Sequence, residues 1–105
     1  FSRIISKPNT NLLCLDLGHK SVASEMQFPR VRFLNVDNYK QIGHSEEHLV
    51  LSCDNSDAYH FGDVTYSIPY HICPTVTKYK EVLTVTDGEI TGTYKVIARD
   101  HKTTI

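Results

Sequence analysis

Hydrophobic and polar residues alternate along most of the chain with a period of two, which is the pattern of half-buried β-strands. In residues 47–53 the alternation places Leu49, Leu51 and Cys53 on one face of a predicted strand. Residues 12–17 are apolar on both faces until Asp16, which predicts a strand at the centre of a sheet. Shorter strands are predicted at residues 20–24 and 30–34.

Two stretches in the second half of the chain predict a further strand and a hairpin. In residues 63–68 one face of the predicted strand consists of Val64, Tyr66 and Ile68. Near the end, two β-rich runs are joined by Asp87-Gly88 in the segment YKEVLTVTDGEITGTYKVIARD. This pair favours a type I′ turn, because both central residues of that turn need positive φ. One face of the returning strand would consist of Tyr94, Val96 and Ala98.

Helical periodicity is weak, so the sequence predicts an all-β fold. Single helical turns are predicted at residues 56–60 and after Pro74, since proline is accepted in the first turn of a helix. The longest predicted loop is the polar segment at residues 36–45, VDNYKQIGHS. We therefore expect residues 1–105 to form a single, mainly antiparallel β domain, built as a partly closed barrel or a sandwich with little helix.

Composition narrows the function mainly by exclusion. A chain of 105 residues suits one domain, and a formal net charge of −1 without a basic stripe argues against nucleic acid as a partner. No apolar run approaches membrane-spanning length, so no membrane association is expected. The chain begins at Phe1 without a signal-peptide pattern, which fits a piece of a longer protein.

The three cysteines favour free thiols in a reducing cytoplasm. Their number is odd, their spacing is irregular, and no C-x-x-C pair occurs. Cys14 and Cys53 lie in apolar runs, where a cysteine behaves as a small buried hydrophobe. Cys73 lies outside such a run, which makes it the candidate for chemistry.

The strongest candidate for chemistry is the histidine–cysteine pair in the segment GDVTYSIPYHICPTV. His71 and Cys73 lie between Pro69 and Pro74, and in an extended chain both side chains would project to the same side. An imidazole nitrogen and a thiolate suit a borderline-soft ion such as zinc. Two protein ligands would leave positions open for substrate or water, as at a catalytic metal. Spacing alone is explained more simply by an incidental pair.

Two other polar clusters carry weaker signals. In GHSEEHL, Glu47 and His48 are candidates for metal ligands, for general bases, or for groups that support a ligand. In LDLGHK, Lys20 is a candidate for a Schiff base. Each cluster by itself is explained more simply as a polar strand end whose charged side chains face water.

In chain order, the motifs resemble the C-terminal part of the D-threonine aldolase and D-serine dehydratase-like enzymes: LDLGHKSVASE, SEEHL, GDVTYSIPYHICPTV and GTYKVIARD. The resemblance extends from about Leu12 to the end of the chain. These are pyridoxal-phosphate enzymes of the alanine-racemase fold. In them an N-terminal α/β barrel holds the cofactor on a lysine, and a C-terminal β domain closes the active site.

The resemblance implies that His71 and Cys73 bind a divalent metal beside the substrate. Dehydratase-like members have cysteine at the second position and use zinc, whereas aldolases tend to have aspartate there and use manganese or a similar ion. Zinc is therefore favoured over manganese here, in agreement with the softness of the thiolate. Further groups near the metal or the substrate would be Glu47, His48 and Tyr70, although SEEHL has leucine where many relatives have glycine.

The resemblance also implies a lyase that acts on D-β-hydroxy amino acids, as a homodimer in the cytoplasm, with pyridoxal phosphate bound mainly by the N-terminal barrel. It assigns no catalytic or cofactor-binding residue to this chain, since Lys20 lies in a motif of the β domain. Residues 1–105 alone should therefore be inactive, and should expose an unpaired strand edge or an apolar patch. Two alternatives are a noncatalytic β interaction module and a small structural zinc domain in which Glu47 and His48 complete the ligand set.

Overall fold

The computed structural model describes residues 1–104, and most of its regular structure is antiparallel β. The all-β prediction is confirmed. The strands are β1 (Ser2–Ser6), β2 (Leu12–Leu15), β3 (Val31–Phe33), β4 (Tyr39–His44), β5 (Leu49–Cys53), β6 (Val64–Thr65), β7 (Ser67–Pro69), β8 (Glu81–Thr86) and β9 (Glu89–Lys95). One short helix, α1 (Ile72–Val76), and two 3₁₀ turns, Ser56–Ala58 and Ile97–Arg99, complete the regular structure in residues 1–104.

Five strands form one sheet in the order β4-β5-β2-β1-β6, with every neighbouring pair antiparallel. The segment at residues 12–17, which is apolar on both faces, forms the central strand β2, as predicted. Leu13 and Leu15 are fully buried, whereas Leu12 and Cys14 on the other face are half-buried. Burial of a leucine of this kind contributes about 1.5–3 kcal/mol to the free energy of unfolding.

The hydrophobic core lies against the face of this sheet that carries the buried residues of β2 and β5. Leu49 and Leu51 are fully buried and Cys53 nearly so, which confirms the period-two prediction for residues 47–53. The other core residues are Ile4, Leu13, Leu15, Leu17, Val22, Val31, Phe33 and Val36. Of these, Val31 and Phe33 belong to β3, which pairs with β7 in a separate two-stranded sheet.

Residues 63–68 form two short strands, so the prediction of one continuous strand is wrong. β6 pairs with β1 and β7 pairs with β3, and the chain changes sheets at Tyr66, whose N–H donates to Asn35 Oδ1 at 2.8 Å. The predicted face is also wrong, since Tyr66 and Ile68 are exposed and Thr65 is buried. Thr65 tolerates burial because its hydroxyl is hydrogen-bonded to that of Ser2, 2.7 Å away.

The polar segment at residues 36–45, which was expected to be a loop, contains the edge strand β4. Its most polar buried side chain, Gln41, accepts a hydrogen bond from the Arg30 N–H at 2.7 Å and donates one to the Val31 carbonyl at 2.6 Å. The Gln41 side chain thus satisfies backbone groups of Arg30 and Val31 at the start of β3. The polar composition of the segment does not reveal these hydrogen bonds.

Residues 20–24 form an irregular turn, so the strand predicted there is wrong. At the start of this turn, the backbone is hydrogen-bonded to the turn between β4 and β5. The His19 N–H donates to the Ser45 carbonyl at 2.9 Å, and the Lys20 N–H donates to the Glu46 carbonyl at 3.1 Å. A side chain on Gly18 would overlap the backbone of Glu46. Glycine is therefore needed here for close approach of two backbone segments.

The two predicted single turns and the hairpin are present, with shifts at their ends. The first turn is the 3₁₀ turn Ser56–Ala58, and the second is α1, which begins at Ile72 and so includes Pro74 as its third residue. Asp87 and Gly88 have φ of 52° and 83°, as a type I′ turn requires. β9 ends at Lys95, so Ala98 lies in the following 3₁₀ turn rather than on the strand.

The hairpin forms a sheet of its own and carries an exposed apolar patch. Its members are Leu83, Val85 and Ile90, which share one face of the hairpin and each have about half or more of their surface exposed. Tyr94 is also exposed, but it pairs with Val82 on the other face. No helix within residues 1–104 is long and apolar enough to cross a membrane.

Gly18→Ala should lower the free energy of unfolding by about 1–3 kcal/mol, because the added methyl group collides with backbone that cannot move aside cheaply. Gly43→Ala is the matched control, since a Cβ there would make only ordinary contact with Val50. Urea unfolding of both variants would measure the difference. Equal stabilities would contradict the close approach.

Candidate metal centre

His71 lies where β7 gives way to α1. Its backbone is extended, with φ −123° and ψ 98°, and it occupies the N-cap position of the helix that begins at the next residue. The Thr75 hydroxyl donates to the His71 carbonyl at 2.7 Å, which ties the histidine backbone to the helix. The His71 side chain is 43% exposed, so its ring borders solvent rather than the core.

Cys73 is the second residue of α1 and is an exposed, free thiol. The extended conformation assumed for the whole His-Ile-Cys triplet is therefore found only at His71. The rule that residues two apart project to one face does not apply to this pair. The location predicted for the pair at a polar surface agrees with the exposure of both side chains, and joint metal binding stays a prediction.

The His71 ring is held by a residue that sequence patterns did not single out. Its Nδ1 is hydrogen-bonded to the Glu25 carboxylate, 46 residues earlier in the chain. The pKa of Glu25 is lowered, first by a hydrogen bond from its own backbone N–H and then by His71. This leaves Nε2 as the ring nitrogen available to a metal. The only sequence signal was an acidic residue in the motif LDLGHKSVASE.

The loop that carries Glu25 is hydrogen-bonded to α1 and to the segment that follows it. The Ala23 N–H donates to the Thr75 hydroxyl at 3.0 Å, and both residues are buried. The Tyr79 hydroxyl donates to the Ser21 carbonyl at 2.8 Å. Since the Thr75 hydroxyl also donates to the His71 carbonyl, one side chain links the loop, the helix and the backbone of the histidine.

The clusters LDLGHK and GHSEEHL come together in the fold, but as an ion-pair network. The Lys20 ammonium lies 2.5 Å from a Glu47 carboxylate oxygen and 3.2 Å from a Glu46 oxygen. The pKa of Lys20 is raised by hydrogen bonds to Glu47 and then Glu46, and Lys20 lowers the pKa of Glu47. A lysine held as an ammonium is a poor nucleophile, which favours the interpretation of Lys20 as a solvated surface residue, located in a turn rather than at the strand end that was expected.

Neither His48 nor Tyr70, the remaining candidates, is hydrogen-bonded to the His71 ring, whose hydrogen-bond partner is Glu25. The His48 N–H donates to the Ser45 hydroxyl in the turn before β5. Tyr70 is exposed, donates its backbone N–H to the Arg30 carbonyl at 3.0 Å, and lines a pocket of about 370 Å³ together with Phe28. Within residues 1–104 no group of three or more His, Cys, Asp or Glu side chains is arranged to hold a metal. The four-ligand zinc site of His71, Cys73, Glu47 and His48 is therefore not assembled.

The family model described as "Putative serine dehydratase domain" matches residues 1–85. The chain belongs to this family. The family prediction made from the order of the motifs is thereby confirmed, whereas a search of curated protein sequences finds no significant match. The matched residues include Glu25, His71 and Cys73, and they end within β8.

Two solved structures resemble the domain. D-threonine aldolase from Filomicrobium marinum superposes with a TM-score of 0.80 and 20% identity, covering 93% of this chain and 27% of that one. A metal-free cysteine-to-alanine mutant of D-threo-3-hydroxyaspartate dehydratase has a TM-score of 0.69 and 15% identity, covering 90% and 31%. At these identities the likeness establishes the fold, and the chain spans less than a third of either structure.

Thr75→Val should lower the free energy of unfolding by about 1–3 kcal/mol, because it leaves the buried Ala23 N–H without its acceptor. Thr75→Ser retains the hydroxyl and should stay close to the wild type. Urea unfolding compares the two substitutions. If the Thr75→Val variant were as stable as the Thr75→Ser variant, the hydrogen bond from Ala23 to Thr75 would not contribute to the free energy of unfolding.

His44 should make the fold sensitive to mild acid. Its Nε2 donates to the Leu17 carbonyl at 3.1 Å, and its pKa is lowered, mainly by burial, with Arg30 and His19 adding repulsion. Because the unfolded imidazole binds a proton more readily, stability is full above the ordinary pKa of 6.5 and is lost as pH falls through the lower folded pKa.

His44→Gln should therefore flatten the fall in melting temperature between about pH 7 and about pH 5. His60→Gln is the control, since that side chain is 79% exposed. An unchanged pH profile for His44→Gln would show that this imidazole does not govern acid stability.

Proposed function

We propose that this domain is the metal-bearing C-terminal part of a pyridoxal-phosphate-dependent lyase that acts on D-β-hydroxy amino acids. The observation that carries the proposal is the His71 ring, which presents Nε2 because a carboxylate occupies Nδ1. Membership of the serine dehydratase family supports it. So do the similar structures, one of a D-threonine aldolase and one of a dehydratase described as metal-free.

The donor set suits zinc better than manganese. A histidine that ligates a metal through one nitrogen almost always donates its other N–H to a carboxylate or carbonyl, which is the arrangement of His71 with Glu25. The exposed Cys73 thiol would add a soft ligand, for which zinc has the higher affinity. The remaining coordination positions would be available to substrate, to water or to groups from the rest of the protein.

The residues of this chain would orient the metal and leave the cofactor to another domain. When bound, the metal would polarise the substrate β-hydroxyl, and pyridoxal phosphate would supply an electron sink. Glu25 would hold the His71 Nδ1 proton, while Thr75 would keep the histidine backbone against α1. Since the cofactor lysine would belong to the N-terminal barrel, the domain alone would not turn over substrate.

Dehydration is favoured over aldol cleavage as the reaction. The family is described as a serine dehydratase domain, and the similar dehydratase structure in metal-free form carries a cysteine-to-alanine change. A thiolate at position 73 suits zinc, the ion of the dehydratase-like members. D-Serine or a related D-β-hydroxy amino acid would therefore be the substrate.

The exposed apolar side chains and the free thiols support the proposed assembly and location. The apolar patch on the β8–β9 hairpin would be covered by the N-terminal barrel or by a second subunit, in a homodimer. The cysteines at positions 14, 53 and 73 are all free, which suits a reducing cytoplasm.

In the full-length protein, Cys73→Ala should abolish β-elimination and sharply reduce bound zinc, because His71 would remain the only identified protein ligand. Cofactor absorbance should persist, since the contacts to pyridoxal phosphate are proposed to lie in the barrel. Cys73→Asp should shift the metal preference from zinc toward manganese, because a hard oxygen replaces the soft sulfur. Metal content and turnover on D-serine and D-threonine would be measured on the folded fraction.

Cys14→Ala is the matched control, since Cys14 is a half-buried thiol on β2. It should retain zinc and turnover. Unchanged zinc and unchanged turnover in Cys73→Ala would eliminate the metal-assisted reaction through this residue.

A further inference from the structure

We propose that Glu25 is a positioning residue that fixes the orientation and the tautomer of the metal ligand His71. The inference rests on the proposed function, because it assigns Glu25 a role only if His71 binds a metal. Nothing in the family or fold comparison assigns a role to this residue. What points to it is the pairing of its carboxylate with His71 Nδ1.

An exposed imidazole needs such a partner to serve as a ligand. The His71 side chain is 43% exposed and that of Glu25 is 47% exposed, so neither is fixed by burial in the core. A neutral histidine carries its proton on either nitrogen, and the hydrogen bond made by one nitrogen decides which nitrogen remains free. With Nδ1–H donating to Glu25, the lone pair stays on Nε2, which faces away from the carboxylate.

The carboxylate can act as a fixed reference point because its own loop is anchored. Two residues before Glu25, the Ala23 N–H bonds to the Thr75 hydroxyl on α1. Four residues before it, the Ser21 carbonyl accepts from the Tyr79 hydroxyl. The hydroxyl that binds Ala23 also binds the His71 carbonyl. The short loop at residues 21–25 therefore helps to hold both the backbone of His71, through Thr75, and its ring, through Glu25.

The chemistry of the pairing sets the size of the expected effect. A carboxylate that accepts from Nδ1–H makes Nε2 a better electron donor and removes the need to order the ring when the metal binds. Loss of such a partner typically lowers metal affinity 10–100-fold, roughly, whereas loss of a ligand costs more. The loss of metal affinity on removing Glu25 therefore distinguishes a positioning role from a ligand role.

The test uses the full-length protein in the absence of substrate. Zinc affinity is measured by competition with a chromophoric chelator for the wild type and for Glu25→Ala, Glu25→Gln, Glu25→Asp and His71→Ala. Glu89→Ala, which removes an exposed carboxylate on the hairpin, is the control. In parallel, nitrogen NMR of metal-free protein labelled with ¹⁵N-histidine reports the tautomer of His71.

We expect the wild type to carry the proton on Nδ1 and Glu25→Ala to bind zinc about 10–100-fold more weakly with a mixed tautomer. Glu25→Gln keeps an acceptor oxygen of the same reach, so it should retain the tautomer and lose less affinity. Glu25→Asp should restore part of the affinity through its shorter carboxylate. If Glu25→Ala does not fold, the glutamine and aspartate variants decide the matter by the same two measurements.

Three results would overturn the inference, and they differ in what they mean for the proposed function. Full affinity and an unchanged tautomer in the Glu25 variants would refute the positioning role and leave the metal site intact. A loss as large as that of His71→Ala would make Glu25 a ligand instead. A wild-type protein that binds no zinc would remove both the inference and the proposed function.

Discussion

The hydrogen bonds that attach residues 18–25 to their neighbours are the constraint on which the candidate metal centre depends. This segment has no strand or helix of its own, so its position is set by backbone bonds to the β4–β5 turn and by the bridge from Ala23 to Thr75. Gly18 permits the first contact, because any side chain would separate the two backbones. The second contact carries the loop onto α1, and only then can the Glu25 carboxylate reach the histidine ring.

Much of the sheet could be predicted from the sequence, because the hydrophobic pattern of its main strands matches which of their faces are buried. β2 is apolar on both faces and lies at the centre, and β5 alternates cleanly and buries alternate residues. The Asp87-Gly88 turn could be predicted because few residue pairs accept positive φ twice. Two of the failures, at residues 63–68 and 36–45, share one physical origin. At Thr65 and Gln41, polar side chains are buried because specific hydrogen bonds satisfy them, and a hydropathy pattern cannot register such partners.

The candidate site was predictable to a lesser degree. His71 and Cys73 are identifiable from a short motif, and their exposure agrees with a site at the surface. The conformation between them was not predictable by period-two reasoning, because the helix begins inside the triplet. Glu25 was missed for a different reason, since its partner lies 46 residues away and no local pattern encodes a long-range pair.

The long sequence separations between these contacting residues determine when the site can form during folding. The contacts that build it join residues 46, 52 and 58 positions apart, so none can form before the chain has closed large loops around the central sheet. In a small zinc finger the ion gathers its ligands and thereby drives folding. At the proposed site the order would be reversed, because the His71 ring is oriented only after the polypeptide has reached its final topology. An ion bound at the proposed site would thus be a late addition to a finished scaffold, and the architecture should not depend on it.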